Sequence, residues 1–185
     1  MARLETQHGE LRYEGAVAEN KEMTIKFINK VDPNSIDDLR NWCRERIQDM
    51  SHDVSRYAPG RMRMWIFAEC DLRTNARVYP AYTDNRIEKF AQRVFPGCDI
   101  ALLTYNGKID WHRDHNYATT IARGVNLGQA KFGIGLPNNR QVIDLQDGDI
   151  YEFNCKSPHA ILWHSQERFS ITFWKMRSEY KQQLS

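Results

Sequence analysis

Two short stretches of this 185-residue chain hold side chains able to bind a metal. The first is Trp111-His112-Arg113-Asp114-His115; the second, Pro158-His159-Ala160-Ile161, places a histidine forty-five residues beyond Asp114. A His-x-Asp pair joined by one distant His is the donor set of the 2-His-1-carboxylate facial triad, which holds Fe(II) on one face and leaves the other open to oxygen. His112-x-Asp114 suits a strand end running into a loop, where alternate side chains point the same way. On a helix, two residues two apart would not share a face. His-x-Asp alone arises by chance in roughly one chain in five of this length. Its meaning therefore depends on the elements that carry it.

The length suits one domain with room for a real core. With 41% hydrophobic and 27% charged residues the composition is that of a globular protein, not a disordered one. The net charge of +2 identifies no partner, so any basic footprint must be local. No apolar run approaches the length of a membrane span, and the N-terminus lacks the apolar stretch of a secretion signal. Cys43, Cys70, Cys98 and Cys155 are scattered without CxxC spacing. These features place the protein in the cytoplasm with reduced thiols, without a membrane and without an obligate protein partner.

Residues 1–22 are polar and mixed, one early strand or an arm. Thr24 to Ile28 reads as a strand. Asp32-Pro33-Asn34-Ser35 opens a helix, with Ser35 as N-cap and Asp38 three residues on, and with Ile36, Leu39, Cys43, Ile47 and Met50 at helical spacing. Arg61 to Phe67 alternates like a strand, and a loop containing Asn75 and Pro80 follows. A second helix runs from about Asp84 to Phe95 on the apolar face Ile87, Phe90, Ala91 and Val94, and Pro96-Gly97 stops it. Beyond Asp99 the helical period disappears. Eight candidate strands follow, at 100–105, 109–113, 121–127, 131–136, 141–145, 150–154, 159–163 and 169–175. Asn106-Gly107, Leu136-Pro137-Asn138-Asn139, Asp147-Gly148 and Ser157-Pro158 separate most of them. The expected class is mainly β with flanking helices (α+β), built on a double-stranded β-helix or jelly roll. Residues 1–185 read as one domain, with 1–98 a helix-containing part packed on a barrel of 99–176.

At this point residues 99–176 resemble the Fe(II)/2-oxoglutarate-dependent dioxygenases. Tyr105-Asn106-Gly107 followed by Trp111-His112-Arg113-Asp114 is similar to the family's entry to the metal site. Asn126-Leu127-Gly128 with Phe132 resembles its central strand pair, and Asp147-Gly148-Asp149-Ile150 its turn before the distal histidine. His159 followed by Glu167-Arg168-Phe169-Ser170-Ile171-Thr172-Phe173-Trp174 resembles its His…Arg-x-Ser ending. The parts stand in the family's order. The Trp-His-x-Asp and Leu-Gly segments resemble AlkB-type nucleic-acid demethylases, although those carry a second Arg where this chain has Trp174. His-Arg-Asp and Arg-x-Ser-x-x-Phe resemble the TET/JBP base hydroxylases equally well, and the subfamily stays open.

The resemblance implies Fe(II) and 2-oxoglutarate as cofactors, O2 as co-substrate, and hydroxylation of a C–H bond. His112, Asp114 and His159 would be the metal ligands. Arg168 would grip the far carboxylate of 2-oxoglutarate with its planar fork, and Ser170, two residues along the strand, would share its face. Tyr105 would add a hydroxyl. His164 competes with His159 for the distal position, but it lies four residues before Arg168, where a turn is expected; His159 leaves room for a hairpin. His115, Asn116 and Tyr117 border the open side and would touch substrate.

Between Arg56 and Arg86 lie six Arg and three acidic residues, interleaved with Tyr57, Trp65, Tyr79 and Tyr82. Phosphate contact with base stacking uses that combination, and a plain solvated surface uses it too; together with the subfamily resemblances it makes a nucleobase in nucleic acid the favoured substrate. A protein side chain or small metabolite is the alternative. A jelly roll that binds without reacting is the rival from another class.

Overall fold

A computed structural model describes residues 25–71 and 77–184. The eight strands of the C-terminal half divide evenly between two facing sheets. They are β6 (Ile100–Tyr105), β7 (Ile109–His112), β8 (Ala118–Leu127), β9 (Ala130–Ile134), β10 (Gln141–Leu145), β11 (Asp149–Asn154), β12 (His159–His164) and β13 (Phe169–Met176). Four of them form the larger sheet in the order β11-β8-β13-β6, and the others form the smaller, β10-β9-β12-β7. Every pairing between these strands is antiparallel. This is the expected double-stranded β-helix.

Earlier strands extend the larger sheet: β1 (Lys26–Lys30) beyond β11, and β3 (Met62–Ile66) then β2 (Ser51–His52) beyond β6. Strand alternation gives that sheet two different faces. On β13, Phe169, Ile171 and Phe173 turn outward with Ala101 and Leu103 to pack on α1 (Pro33–Glu45) and α2 (Asn85–Val94). Leu39, Trp42 and Cys43 of α1 and Ile87, Ala91 and Val94 of α2 close that layer. The other face meets the smaller sheet, where Leu102, Phe132, Ile134, Tyr151, Phe153 and Ile161 are buried together.

Several local expectations shift. The N-cap of α1 is Asp32 rather than Ser35: its carboxylate accepts from the Asn34 N–H at 2.9 Å, and Pro33 then occupies the first helical turn. Proline tolerates that turn because its missing N–H would be unbonded there anyway. The helix stops at Glu45, so Ile47 lies in a 3-10 turn at Ile47–Asp49 and Met50 just beyond it. The loop expected near Pro80 is a hairpin of β4 (Ala68–Asp71) and β5 (Arg77–Pro80), which buries Ala68, Cys70 and Val78. Its strands are too short and too charged to show a period. Asn75, Thr24 and residues 1–22 lie outside the described residues. A short α3 (Ser178–Lys181) follows the barrel. The four cysteines are free thiols, and no described helix is long and apolar enough to cross a membrane.

Asp84, expected to open the second helix, ties both helices together. Its Oδ1 accepts from the backbone N–H groups of Arg86 and Ile87 at 2.8 and 3.0 Å; its Oδ2 accepts from the Trp42 indole at 2.9 Å and the Tyr82 hydroxyl at 2.7 Å. Burial alone would raise this carboxyl, but those donors outweigh it and hold it down at about 2. Losing the cap costs about 1 kcal/mol, and leaving the Trp42 indole unpaired about 1 more. Asp84→Ala is therefore expected to lose about 2 kcal/mol in denaturant unfolding at neutral pH. Because the folded carboxyl lies below its usual value near about 4, its contribution is complete above that pH. The gap between wild type and variant should close as pH falls from about 4 toward about 2.

Candidate active site

Between the sheets lies a cavity of about 290 Å³ whose lining includes His112, Asp114, His159, Arg168 and Ser170. The two histidines are direct cross-strand partners, His112 near the end of β7 and His159 at the start of β12. Their ring centroids stand 4.3 Å apart. Asp114 follows just beyond β7, anchored by its N–H to the Cys155 carbonyl at 2.9 Å. Its Oδ1 lies 3.5 Å from the Nε2 of His112 and 3.5 Å from that of His159. One donor atom from each residue falls within 4.8 Å of the others, so the three can converge on one ion.

The ring orientations are fixed from behind. His112 Nδ1 sits 2.8 Å from the Asp110 carbonyl and His159 Nδ1 2.9 Å from the Ser157 carbonyl. A carbonyl accepts only from N–H, so both neutral rings carry the proton on Nδ1 and turn the Nε2 lone pair toward Asp114. The second carboxylate oxygen is occupied: the Trp174 indole donates to Asp114 Oδ2 at 2.8 Å. Burial by itself would raise the Asp114 carboxyl, but the imidazoles beside it, once protonated on Nε2, donate to it and hold it well below the usual range.

His164 does not join this group. Its Nε2 accepts from the Gly107 N–H at 3.1 Å and its Nδ1 lies 2.7 Å from the Ser165 carbonyl. It pins the Asn106-Gly107 turn that connects β6 to β7. Asn106 in turn accepts from the Arg168 N–H through its side chain at 3.0 Å and donates its own N–H to the Arg168 carbonyl at 2.9 Å.

Arg168 is buried at 3% exposure, and burial pushes its pKa down only to about 10, so it stays charged. Its Nε donates to Asn126 Oδ1 at 2.7 Å, yet its Nη2 is buried with no hydrogen-bond partner. A buried cation with an unpaired N–H pointing along a polar wall suits a carboxylate ligand. The rest of that wall supports it. In register across β3, β6, β13 and β8 stand Arg63, Thr104, Ser170 and Asn126, all on the inward face. Both the metal cluster and the clamp therefore fit the cofactors expected for this chain: nitrogen and carboxylate donors for Fe(II), and a buried fork for a carboxylate.

Tyr105 is a correction. Thr104 faces the cavity, so Tyr105 must face away; its ring stacks on Phe169 at 4.8 Å, on the helix side of the sheet. Tyr151 of β11 holds the inward place instead, against Arg168 and Ser170, with burial raising its phenol. Gly124 lies opposite it in register, and a Cβ there would collide with the phenol ring. That glycine makes space for a cavity tyrosine; with the register known, the pair would have been readable. Of the three residues expected on the open side, His115 and Tyr117 line the cavity and Asn116 does not. Tyr117 is buried, and burial keeps its phenol well above its ordinary pKa.

No family model and no curated protein matches the sequence. Solved structures do match in shape. OsALKBH1 superposes with a TM-score of 0.66 at 13% identity, over 82% of this chain and 97% of that one. A prolyl hydroxylase from Trichoplax adhaerens, in complex with a hypoxia inducible factor peptide fragment, gives 0.58 at 14% identity over 87% of both chains. An oxidoreductase of the 2OG-Fe(II) oxygenase family from Burkholderia pseudomallei gives 0.54 at 11% identity over 77% and 78%. The shared architecture is the double-stranded β-helix, and by that measure this chain has the fold of the Fe(II)/2-oxoglutarate-dependent oxygenases.

Proposed function

We propose that the chain is an Fe(II)- and 2-oxoglutarate-dependent dioxygenase that hydroxylates a C–H bond. His112, Asp114 and His159 hold the metal; Arg168 and Ser170 take the far carboxylate of 2-oxoglutarate, with Tyr151 in place of Tyr105. The observation that carries this reading is one cavity containing both a tautomer-fixed His-Asp-His cluster and a buried guanidinium with an unpaired N–H. When bound, iron and 2-oxoglutarate supply the oxidising chemistry that O2 alone lacks.

The chain's own residues set the geometry. The Asp110 and Ser157 carbonyls keep both Nε2 lone pairs forward, and Trp174 leaves Asp114 one oxygen to offer. Three single-atom donors on one side leave the opposite side of an ion open. Phe132, Phe153 and Ile161 line the cavity with apolar surface, which excludes water from the reacting group. Trp174→Phe keeps the packing but frees Asp114 Oδ2. Partners behind a ligand commonly set ten- to a hundredfold in metal affinity. The variant should bind Fe(II) at least about tenfold more weakly by anaerobic titration, and its metal-free form should unfold a few degrees earlier, since a buried carboxylate oxygen loses its donor.

A nucleobase is the substrate we favour. Part of the Arg- and aromatic-rich segment forms one wall of the cavity, through Tyr57, Arg61 and Arg63, and Tyr57 stacks on His112 at 6.1 Å between centroids. Arg56 lies over Tyr57, exposed. A flipped base would find stacking and cationic surface together. A protein side chain or small metabolite is the second reading, favoured by the fold shared with a peptide-bound prolyl hydroxylase. Titrating 2-oxoglutarate into the iron-loaded, oxygen-free protein should give a saturable charge-transfer absorbance. Its absence would leave only a jelly-roll binder. Succinate release across oligonucleotides, peptides and amino acids then separates the substrate classes.

A further inference from the structure

We propose that Arg61 and Arg63 form a second anion site in this cavity, which takes an acidic group of the substrate, a phosphate or a carboxylate. The inference rests on the oxygenase reading for what else the cavity holds. Residues 61, 63 and 65 share one face of the β3 segment by alternation, and Arg63 stands in register with Thr104, on the row that ends at Ser170 and Asn126. Both guanidiniums line the cavity, with side chains only 13% and 16% exposed.

Among the described residues Asp53, whose side chain is 3% exposed, is the acid in ion-pair contact with both, and the metal-cluster Asp114 acts on Arg61 from further off. Asp53 Oδ2 accepts from Arg61 Nε at 2.9 Å and Nη2 at 2.6 Å, and its Oδ1 accepts from the Ser55 N–H at 2.9 Å. Arg63 Nε remains 3.6 Å from that carboxylate and is buried without a hydrogen-bond partner. Asp53 therefore orients the pair without neutralising it. A metal dication, Asp114, Arg168 and the dianion 2-oxoglutarate cancel among themselves, so one positive charge of the Asp53-Arg61-Arg63 group is left over inside the cavity. The Trp65 ring, 5.5 Å from the Arg63 guanidinium, supplies a cation–π contact but accepts no in-plane N–H, and a guanidinium fork matches carboxylate or phosphate geometry. Arg113, the remaining cavity guanidinium, is exposed and donates to the Lys156 carbonyl, so water serves it.

The pair is also held rigidly. The Asn106-Gly107 turn presses on Arg61, where a Cβ on Gly107 would come within 2.7 Å of the Arg61 Cβ. Gly107 has φ +85°, and the same turn is bonded to Arg168. One turn therefore sets the clamp and the pair relative to each other. Two cations fixed around one cavity suit a substrate held by its charged end while its C–H bond faces the metal cluster.

The test is thermal unfolding of the metal-free protein with inorganic phosphate or acetate, against chloride at equal ionic strength. It is run in wild type, Arg168→Gln, Arg63→Gln and Arg63→Lys. The Arg168→Gln chain lacks the cofactor clamp, so stabilisation that persists there comes from the pair. Phosphate at several times its dissociation constant should raise the midpoint by about 2–4 °C in wild type and in Arg168→Gln. That shift should vanish in Arg63→Gln, each variant read against its own anion-free midpoint, and return in part in Arg63→Lys, which keeps the charge. A larger response to phosphate assigns a phosphorylated substrate such as a nucleotide; one to acetate assigns a carboxylate. No response to either anion in Arg168→Gln, or a response retained in Arg63→Gln, overturns the proposal. Failure of the oxygenase reading shows separately, as a missing 2-oxoglutarate absorbance in the iron-loaded protein.

Discussion

Replacing His112, Asp114 or His159 by Ala is expected to abolish stoichiometric Fe(II) binding, and with it any turnover, while His164→Ala is expected to keep both. The geometry makes the contrast sharp. The first three side chains present one donor each to a common point, with Nε2 of both histidines 3.5 Å from Asp114 Oδ1. Removing one leaves two donors, too few to hold a labile divalent ion against water. His164 uses its Nε2 on the Gly107 N–H, so its loss loosens a turn and not the metal. Anaerobic Fe(II) titration and circular dichroism together check the claim. Asp114→Ala is the most demanding variant because it also strands the Trp174 indole. His159→Ala gives the cleaner measurement, since His159 bonds only a neighbouring carbonyl. Iron retained in His159→Ala and lost in His164→Ala would reverse the assignment.

The second large effect is expected at the clamp. Arg168→Lys keeps a positive charge but loses the planar fork and the Nε–H that Asn126 receives. A hydrogen bond to a charged group is worth about 1.5–3 kcal/mol, which corresponds to roughly a tenfold to hundredfold loss of 2-oxoglutarate affinity. Iron binding should be unaffected, because Arg168, just before β13, bonds Asn126 and Asn106 and none of the three metal-cluster residues. Ser170→Ala should cost less, since it removes a neutral donor. Charge-transfer absorbance against 2-oxoglutarate concentration, in the oxygen-free iron-loaded protein, reads both. Equal affinity in Arg168→Lys and wild type would remove Arg168 from the cofactor site.

Legibility in the sequence followed range. The parity of His112 and Asp114 is a property of three consecutive residues, and the extended backbone enforces it. The eight strands were bounded by turns whose glycines and asparagines act locally: Asn106, Gly107 and Gly148 all adopt positive φ. The capping of α2 by Asp84 is equally local. The cap of α1 was misplaced by three residues because Ser35 and Asp32 are both good caps, and only Pro33 distinguishes them.

Sites assembled across strands could not be read that way. Tyr105 and Tyr151 are both strand tyrosines, and a tyrosine's face depends on which neighbouring residue points inward. Arg168 and Ser170 settle that for β13, and the register Ser170↔Thr104 carries it to β6, turning Tyr105 out. The register Gly124↔Tyr151 turns Tyr151 in. Nothing local marks Trp174 as a partner of Asp114, because its bond to that carboxylate spans sixty residues. Arg61 and Arg63 are equally readable as surface charge until β3 is added beyond β6, which puts them and Asp53 in the cavity lining. The sequence alone pointed to the candidate donor set, the eight barrel strands and, through the family resemblance, the candidate clamp residue, because each depends on residue type and short spacing. Tertiary structure decided which tyrosine, which tryptophan and which arginines share the cavity, because strand register and sheet order are set by long-range pairing that no local period records.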